Sequence, residues 1–216
     1  MYKKKNVIIY PNVHLGKNVK IEEFCIIGEP PRNKKIGELE TVIGSNTIIR
    51  SSTVIYAGVK IGNGCQTGHG VLIRENNVIG NNCSIGTNSV LEPDNVIGNN
   101  VRIHSNCFLE SAKIEDNVFI GPGVVFTDDP HPPCPMFKRC VGGAIVKKNV
   151  KIGANVTILP GVIIEENSLI GAGTVVNTNV PKNKVVVGNP ARVIKEINSL
   201  KCWKKFFKRP YIWEKK

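Results

Sequence analysis

From Ile43 onward an aliphatic residue returns at every sixth position. The series runs Ile43, Ile49, Ile55, Ile61, Ile73, Ile79, Ile85, Leu91, Ile97, Ile103 and Leu109, and Thr67 alone interrupts it. An α-helix turns every 3.6 residues and cannot hold such a stripe on one face. A flat strand alternates every second residue and needs no break at the sixth. The break is present, because glycine follows the aliphatic residue at Gly44, Gly62, Gly68, Gly80, Gly86 and Gly98. Glycine suits a corner where a side chain would crowd the turn. A second inward slot carries small or β-branched residues: Thr47, Thr53, Val59, Cys65, Val71, Cys83, Ser89, Val101 and Cys107. Short strand, corner, short strand, corner predicts a three-sided prism with three hexads per coil, an internal repeat read from its period.

The same register begins at Ile9, Leu15, Ile21 and Ile27, and continues at Ile114 and Ile120 after one residue drops out at a corner. It resumes at Val146, Ile152, Ile158, Ile164, Ile170 and Val176. That predicts about eight coils and a prism roughly 40 Å tall at the usual strand spacing. Two excursions leave it, residues 29–41 and 127–145, both long enough to be functional loops. The pattern [LIV]-G-x-x-[STAVC]-x resembles the hexapeptide-repeat acyltransferases over about residues 7–192. It implies an all-β, left-handed parallel β-helix as the domain spanning 1–192. The remainder, 193–216, spaces Ile194, Ile197, Leu200, Trp203, Phe206 and Phe207 among lysines. That spacing predicts a basic, amphipathic C-terminal helix. Such a helix either packs on the prism end or a neighbouring subunit, or lies on an anionic membrane surface.

Residues one coil apart stack in columns, which turns spacing into geometry. One corner column reads Ser51, His69, Thr87, Ser105, Pro122, Ala154, Ala172. Beside it run Arg50, Gly68, Gly86, His104, Gly121, Gly153 and Gly171. The upper half of this strip is nearly bare of side chains and would admit a long, thin ligand. The lower half carries His69 and His104. Another corner stacks Tyr56, Arg74, Glu92 and Glu110, either a surface ion-pair ladder or the lining of a polar cleft.

The stretch Gln66-Thr-Gly-His-Gly-Val-Leu-Ile-Arg-Glu75, with Ile85-Gly-Thr-Asn-Ser-Val90, is similar to acetyltransferases that modify nucleotide-linked amino sugars. Val187-Gly-Asn-Pro-Ala-Arg192 resembles the closing signature of hexapeptide acyltransferases. The resemblance implies an enzyme that uses acetyl-CoA as co-substrate and acylates a nucleotide amino sugar for surface polysaccharide or glycan synthesis. It implies that the last coils hold CoA, through Gly153, Ala154, Ala172, Lys182 and Arg192. It also implies a homotrimer with sites between neighbouring prisms, where His69 and Glu75 could meet although they sit on successive corners of one coil. The corners, which present Arg, His, Glu and Asn, fit a closed ring of subunits.

The chemistry needs a base for the attacking amine, and a neutral histidine suits that task. His69 is the first candidate and His104 the second; each could equally be a plain surface histidine, and some amino-sugar members work without a protein base. His14 is read as surface. An oxyanion donor could be a backbone N–H at Gly86 or Gly121. Glu75, Asn88 and Arg74 are candidate acceptor-binding residues, joined by Asp128 and His131 from a loop that looks like the one closing over substrate in relatives. His131, Cys134 and Cys140 could supply three metal ligands, but a fourth is missing and the spacing matches no common motif. No metal is expected.

A net charge of +12 over 216 residues first suggests nucleic acid, but no zinc-finger, RRM-like or helix-turn-helix pattern is present. CoA and nucleotide sugars are polyanions, so a small-molecule partner accommodates the charge as well as a solvated surface does. Seven cysteines make an odd number, which argues against a disulfide framework. Cys25, Cys65, Cys83 and Cys107 occupy the inward slot and read as core. No run of 18 apolar residues and no secretory leader is present, so a cytoplasmic location is expected. Two rivals remain: an O-acetyltransferase for serine or a simple sugar, and a non-catalytic β-helix scaffold. The zinc carbonic anhydrases of this prism require a His-x4-His pair that the chain lacks.

Overall fold

The computed structural model describes residues 6–136, 139–140 and 142–211. In it the six-residue rhythm becomes a left-handed parallel β-helix. Three sheets of nine, eight and ten strands form its faces. The first runs from Ile8–Ile9 to Val175–Val176, the second from Val13–Leu15 to Ile163–Ile164. The third starts at Lys20–Ile21 and ends with Lys184–Val187 and Arg192–Glu196. Register follows the coil: Leu72 pairs with Val90 and Ile73 with Leu91. The dropped residue appears where Val96 pairs with Lys113, and the long excursion where Lys113 pairs with Ile145.

The aliphatic series forms the core. Ile43, Ile49, Ile55, Ile73, Leu91, Leu109, Ile120 and Ile152 are fully buried. Thr67 keeps its place in the series and satisfies its hydroxyl by accepting the Arg50 N–H at 2.9 Å. Cys25, Cys65, Cys83 and Cys107 are buried and unbridged, and burial pushes the Cys107 thiol up.

The corners work differently from the sequence-based expectation. The left-handed backbone conformation falls chiefly on asparagines, among them Asn46, Asn76, Asn82, Asn88, Asn100 and Asn106, because asparagine tolerates positive φ better than other side chains. The glycine after each aliphatic residue answers to a different constraint, the coil above. A Cβ on Gly62 would lie 2.6 Å from the Gly80 carbonyl oxygen. These glycines therefore mark close stacking rather than unusual φ, whereas Gly58, Gly64 and Gly70 share the left-handed position with the asparagines.

The predicted C-terminal helix does not form. Arg192–Glu196 turns back and pairs antiparallel with Lys184–Val187, matching Val187 with Arg192 and Val185 with Lys195. Only a 3-10 turn, Ile197–Ser199, follows before irregular chain to Tyr211. The physical reason is competition. An isolated helix of this length is marginal, Pro210 interrupts it, and the last parallel strand offers an open edge that demands hydrogen bonds. Among the described residues no helix is long and apolar enough to cross a membrane.

Candidate functional site

The corner between the third and first sheets carries both candidate histidines, in different settings. Third-sheet strands end in the buried aliphatic residue, so the next two residues lie at this corner. His104 follows Ile103 and is half-buried. Its ring stacks on Phe119, with centroids 4.9 Å apart and planes tilted by 55°. Its Nε2 is buried and has no hydrogen-bond partner. A buried polar atom left so costs about 1–3 kcal/mol. The ring borders a groove of about 350 Å³ lined by Gln66, Ser84, Gly86, Thr87, Arg102 and His104.

His69 lies lower on the corner and is exposed. Its Nδ1 sits 2.8 Å from the Ser51 hydroxyl, which leaves Nε2 on the opposite side of the ring. The Ser51 N–H donates to Glu22 Oε2 at 3.2 Å, and Arg50 donates to Glu22 Oε1 at 2.6 Å. The Arg50 guanidinium holds the Glu22 carboxyl below its usual range. Glu22, Arg50 and Ser51 thus form a bracket behind His69.

The oxyanion donors expected at Gly86 and Gly121 are already engaged. Gly86 N–H bonds to the Ile103 carbonyl at 2.8 Å and Gly121 N–H to the Ile152 carbonyl at 2.8 Å. Coil-to-coil hydrogen bonding takes every such position. One residue further on, Thr87 and Ser105 line the groove, and among the described residues no backbone acceptor takes their N–H groups.

Above His104 the glycine strip continues through Gly121, Gly153 and Gly171, beside Pro122, Ala154 and Ala172. The coils close there: Gly153 N–H reaches the Ile170 carbonyl and Gly171 N–H the Val186 carbonyl, both at 2.8 Å. Arg192 belongs to the top of the same strip, since its strand pairs with Val187, and it is exposed. Lys182 does not join them. It pairs with Glu166 at 3.0 Å, which also receives Lys148 at 3.3 Å, on the opposite edge of the third sheet.

Arg74 and Glu75 occupy the corner where first-sheet strands end. Arg74 grips both Glu75 oxygens, at 2.9 and 3.0 Å, and reaches Glu92 at 3.2 Å, while its guanidinium lies 5.1 Å from the Tyr56 ring centroid. The ladder is therefore formed, and Arg74 is committed to it. One coil higher the column turns acidic. Burial raises the Glu110 carboxyl, reinforced by Asp128 and then Glu92. Asp128 accepts the Ser111 hydroxyl at 2.9 Å, which ties the loop 127–145 to this corner.

Asn88 is exposed at a corner with φ of 55°, so shaping the turn is its visible role. His131 is exposed, and Asp129 accepts the N–H groups of His131 and Cys134 at 2.9 and 3.0 Å. Among the described residues no three His, Cys, Asp or Glu side chains converge as a metal site. His14 is exposed and reaches Asn12 at 3.1 Å.

Two features went unread in the sequence. Glu22 is one: it reaches Arg50 and Ser51 only through contacts between coils, although Ser51 itself stands in the His69 column. The outward positions of the first sheet form an apolar stripe, Ile26, Val54, Leu72, Val90, Phe108 and Val125, all half-buried. Each equivalent position lies one coil from the next, so the stripe was open to a columnar reading. At the corresponding places the second sheet is mixed, with Lys60 and Lys113 among Val42, Val78, Val96, Ile145 and Ile163, and the third carries Lys20, Gln66, Ser84 and Arg102.

Comparison with known proteins agrees with this architecture. The family model for bacterial transferase hexapeptide repeats (six repeats) matches residues 40–75, 78–111 and 143–178. Over 91 residues the chain is 42% identical to galactoside O-acetyltransferase of Escherichia coli K12, a stretch covering 39% of this chain and 44% of that protein. Over 62 residues it is 42% identical to a putative lipopolysaccharide biosynthesis O-acetyl transferase of the same organism, covering 28% and 32%. The chain thus spans less than half the length of these curated relatives. Among solved structures, a UDP-N-acetylglucosamine acyltransferase from Bacteroides fragilis matches with a TM-score of 0.74, over 91% of this chain and 74% of that one. At 20% identity that is a likeness of fold.

Proposed function

This chain belongs to the hexapeptide-repeat acyltransferases, and from that membership we propose an acetyl-CoA-dependent N-acetyltransferase whose acceptor is a nucleotide-linked amino sugar. One observation carries the reading: the His104 Nε2, buried and unpartnered beside a groove on the glycine strip. An idle imidazole nitrogen at that place is what proton transfer requires. The acceptor nitrogen attacks the thioester carbonyl carbon; the C–N bond forms and the C–S bond breaks. The proton leaving nitrogen passes to the His104 imidazole and then to the departing thiolate, giving the free thiol of CoA. The N–H groups of Thr87 and Ser105 meet the oxygen that gains charge.

The bare strip of Gly121, Gly153, Gly171, Ala154 and Ala172 accepts the extended arm of CoA, with Arg192 at its upper end. His69, braced by Ser51, presents Nε2 to the acceptor. Glu92 and Asp128 supply negative charge at the far edge of the first sheet, which favours an ammonium-bearing acceptor over a neutral one. The apolar first-sheet stripe lies between the two corners. Packing that stripe against another copy would bring the edge of one prism to the edge of the next, which supports a homotrimer with shared sites.

A second reading, O-acetylation of a sugar hydroxyl, is favoured by the likeness to a galactoside O-acetyltransferase. The test is thiol release from acetyl-CoA with uridine- and thymidine-diphosphate 3-amino and 4-amino sugars, set beside simple galactosides. Turnover confined to the amino sugars is expected. Acetylation of galactosides with no turnover of any amino sugar would transfer the assignment to the second reading.

A further inference from the structure

Past the last coil the chain carries a surface that the acyl-transfer reading does not use. Residues 199–211 include Lys201, Lys204, Lys205, Lys208 and Arg209 and no carboxylate. The nearest acid before them, Glu196, is paired with Lys184. Among these cations stand the two most exposed large apolar side chains of the described residues, Trp203 at 99% and Phe206 at 80%. Isolated exposed apolar residues are ordinary, but adjoining aromatics in a cationic frame are a recognition pattern.

The segment is tethered at both ends. Arg192–Glu196 is hydrogen-bonded into the third sheet, and Ile197 N–H reaches the Asn183 carbonyl at 2.8 Å. At the other end the Lys151 ammonium lies 5.0 Å from the Tyr211 ring centroid. Between these anchors Lys195, Leu200, Lys201, Trp203, Phe206 and Lys208 surround a hollow of about 880 Å³. None of them lines the His104 groove.

We propose that this tethered basic-aromatic segment docks the protein on an anionic lipid bilayer. Trp203 and Phe206 enter the boundary between headgroups and acyl chains, where amphipathic aromatics settle. The five cations meet the negative surface potential. Charge selects this occupant over the same segment of a second copy, because residues 199–211 carry five cations and no carboxylate and two such segments repel. A nucleic acid would satisfy the lysines, but it gives no account of a tryptophan and a phenylalanine held in water at the prism end.

The test is co-sedimentation of the full-length protein with vesicles of phosphatidylcholine alone or containing phosphatidylglycerol. Binding is expected only to the anionic vesicles and should weaken as salt is raised. At about fivefold per cation, the triple change K204E/K205E/K208E should reduce partitioning by well over tenfold. Trp203→Ala should also reduce it, and in a Trp213→Phe background, where Trp203 is the remaining tryptophan, emission should shift when anionic vesicles are added. Unchanged melting temperature in each variant guards against a trivial loss of folding. Equal binding to neutral vesicles, or no binding to either, overturns the proposal. So does a change of oligomeric mass in Trp203→Ala, or oligonucleotide binding in place of vesicle binding.

Discussion

The Ser51 hydroxyl lies 2.8 Å from Nδ1 of His69, joining residues one coil apart. The serine fixes the ring through one nitrogen and turns the other outward. His104, two coils higher, is instead held by stacking on Phe119 and keeps a buried nitrogen idle. In the proposed mechanism the braced histidine contacts the acceptor and the stacked one takes the proton. His104→Asn should therefore lower kcat by about 10²–10⁴-fold, the range for loss of a general base. His69→Asn should chiefly raise KM for the acceptor, with kcat within about tenfold of wild type, and Ser51→Ala should do the same more weakly. Steady-state kinetics of the three variants decide it; the opposite ranking of the two histidines would reverse their roles.

Gly86 should not tolerate a methyl group. A Cβ there would sit 2.7 Å from the His104 carbonyl oxygen, which is backbone and cannot swing aside. Gly86→Ala should cost about 1–3 kcal/mol of stability, the usual penalty of overpacking, and should displace His104. Asn88, at φ of 55°, answers to another rule. Asn88→Gly should be nearly neutral, while Asn88→Val should cost about 1–2 kcal/mol. Urea melts of all three measure both, and a fully stable Gly86→Ala protein would show that the coils can spread.

Glu110 gives a pH signature. Its carboxyl is raised, first by burial and then by Asp128 and Glu92, so the native state holds the proton more tightly than the unfolded chain. A carboxylate raised in this way contributes stability at low pH and loses it as pH climbs through the folded value. Glu110→Gln keeps the neutral form at every pH. It should melt above wild type near neutrality, and the gap should close as pH falls below the ordinary carboxylate range. Thermal melts across that range check the sign; a gap that widens toward acid would refute the account.

Phe108 stands in the middle of the apolar stripe of the first sheet. If the stripe is covered by other copies, Phe108→Glu should yield smaller particles in light scattering while each prism keeps its fold. If the acceptor site is shared between copies, turnover should fall with the assembly. A wild-type protein that scatters as a monomer at micromolar concentration would remove the trimer altogether.

The sequence by itself determined the prism. A buried aliphatic residue at every sixth position and a small one between specify where each strand turns inward, because a core of that shape leaves no other way to bury them. Ile43 to Val176 therefore read correctly without coordinates, as did the dropped residue before Ile114 and the two loops. The inward cysteines followed from the same rule. Corners were legible as corners, but the left-handed position fell to asparagine or to glycines such as Gly64 and Gly70, while the glycine after each aliphatic residue answered to the next coil, a division visible only once backbone angles and stacking are known.

Tertiary structure decided what depends on relations between coils. Whether a glycine N–H is available at Gly86 or Gly121 depends on the carbonyl stacked above it, and stacking consumes it. Lys182 stands apart from the glycine strip because its partner Glu166, which Lys148 also pairs with, lies at another corner. The bracket of Glu22, Arg50 and Ser51 joins residues that no local pattern connects. The helical spacing after Val193 was real, yet an open strand edge at Lys184–Val187 claimed the chain. Local periodicity reports what a segment could do alone, and the unpaired hydrogen bonds of its neighbour decided what it did.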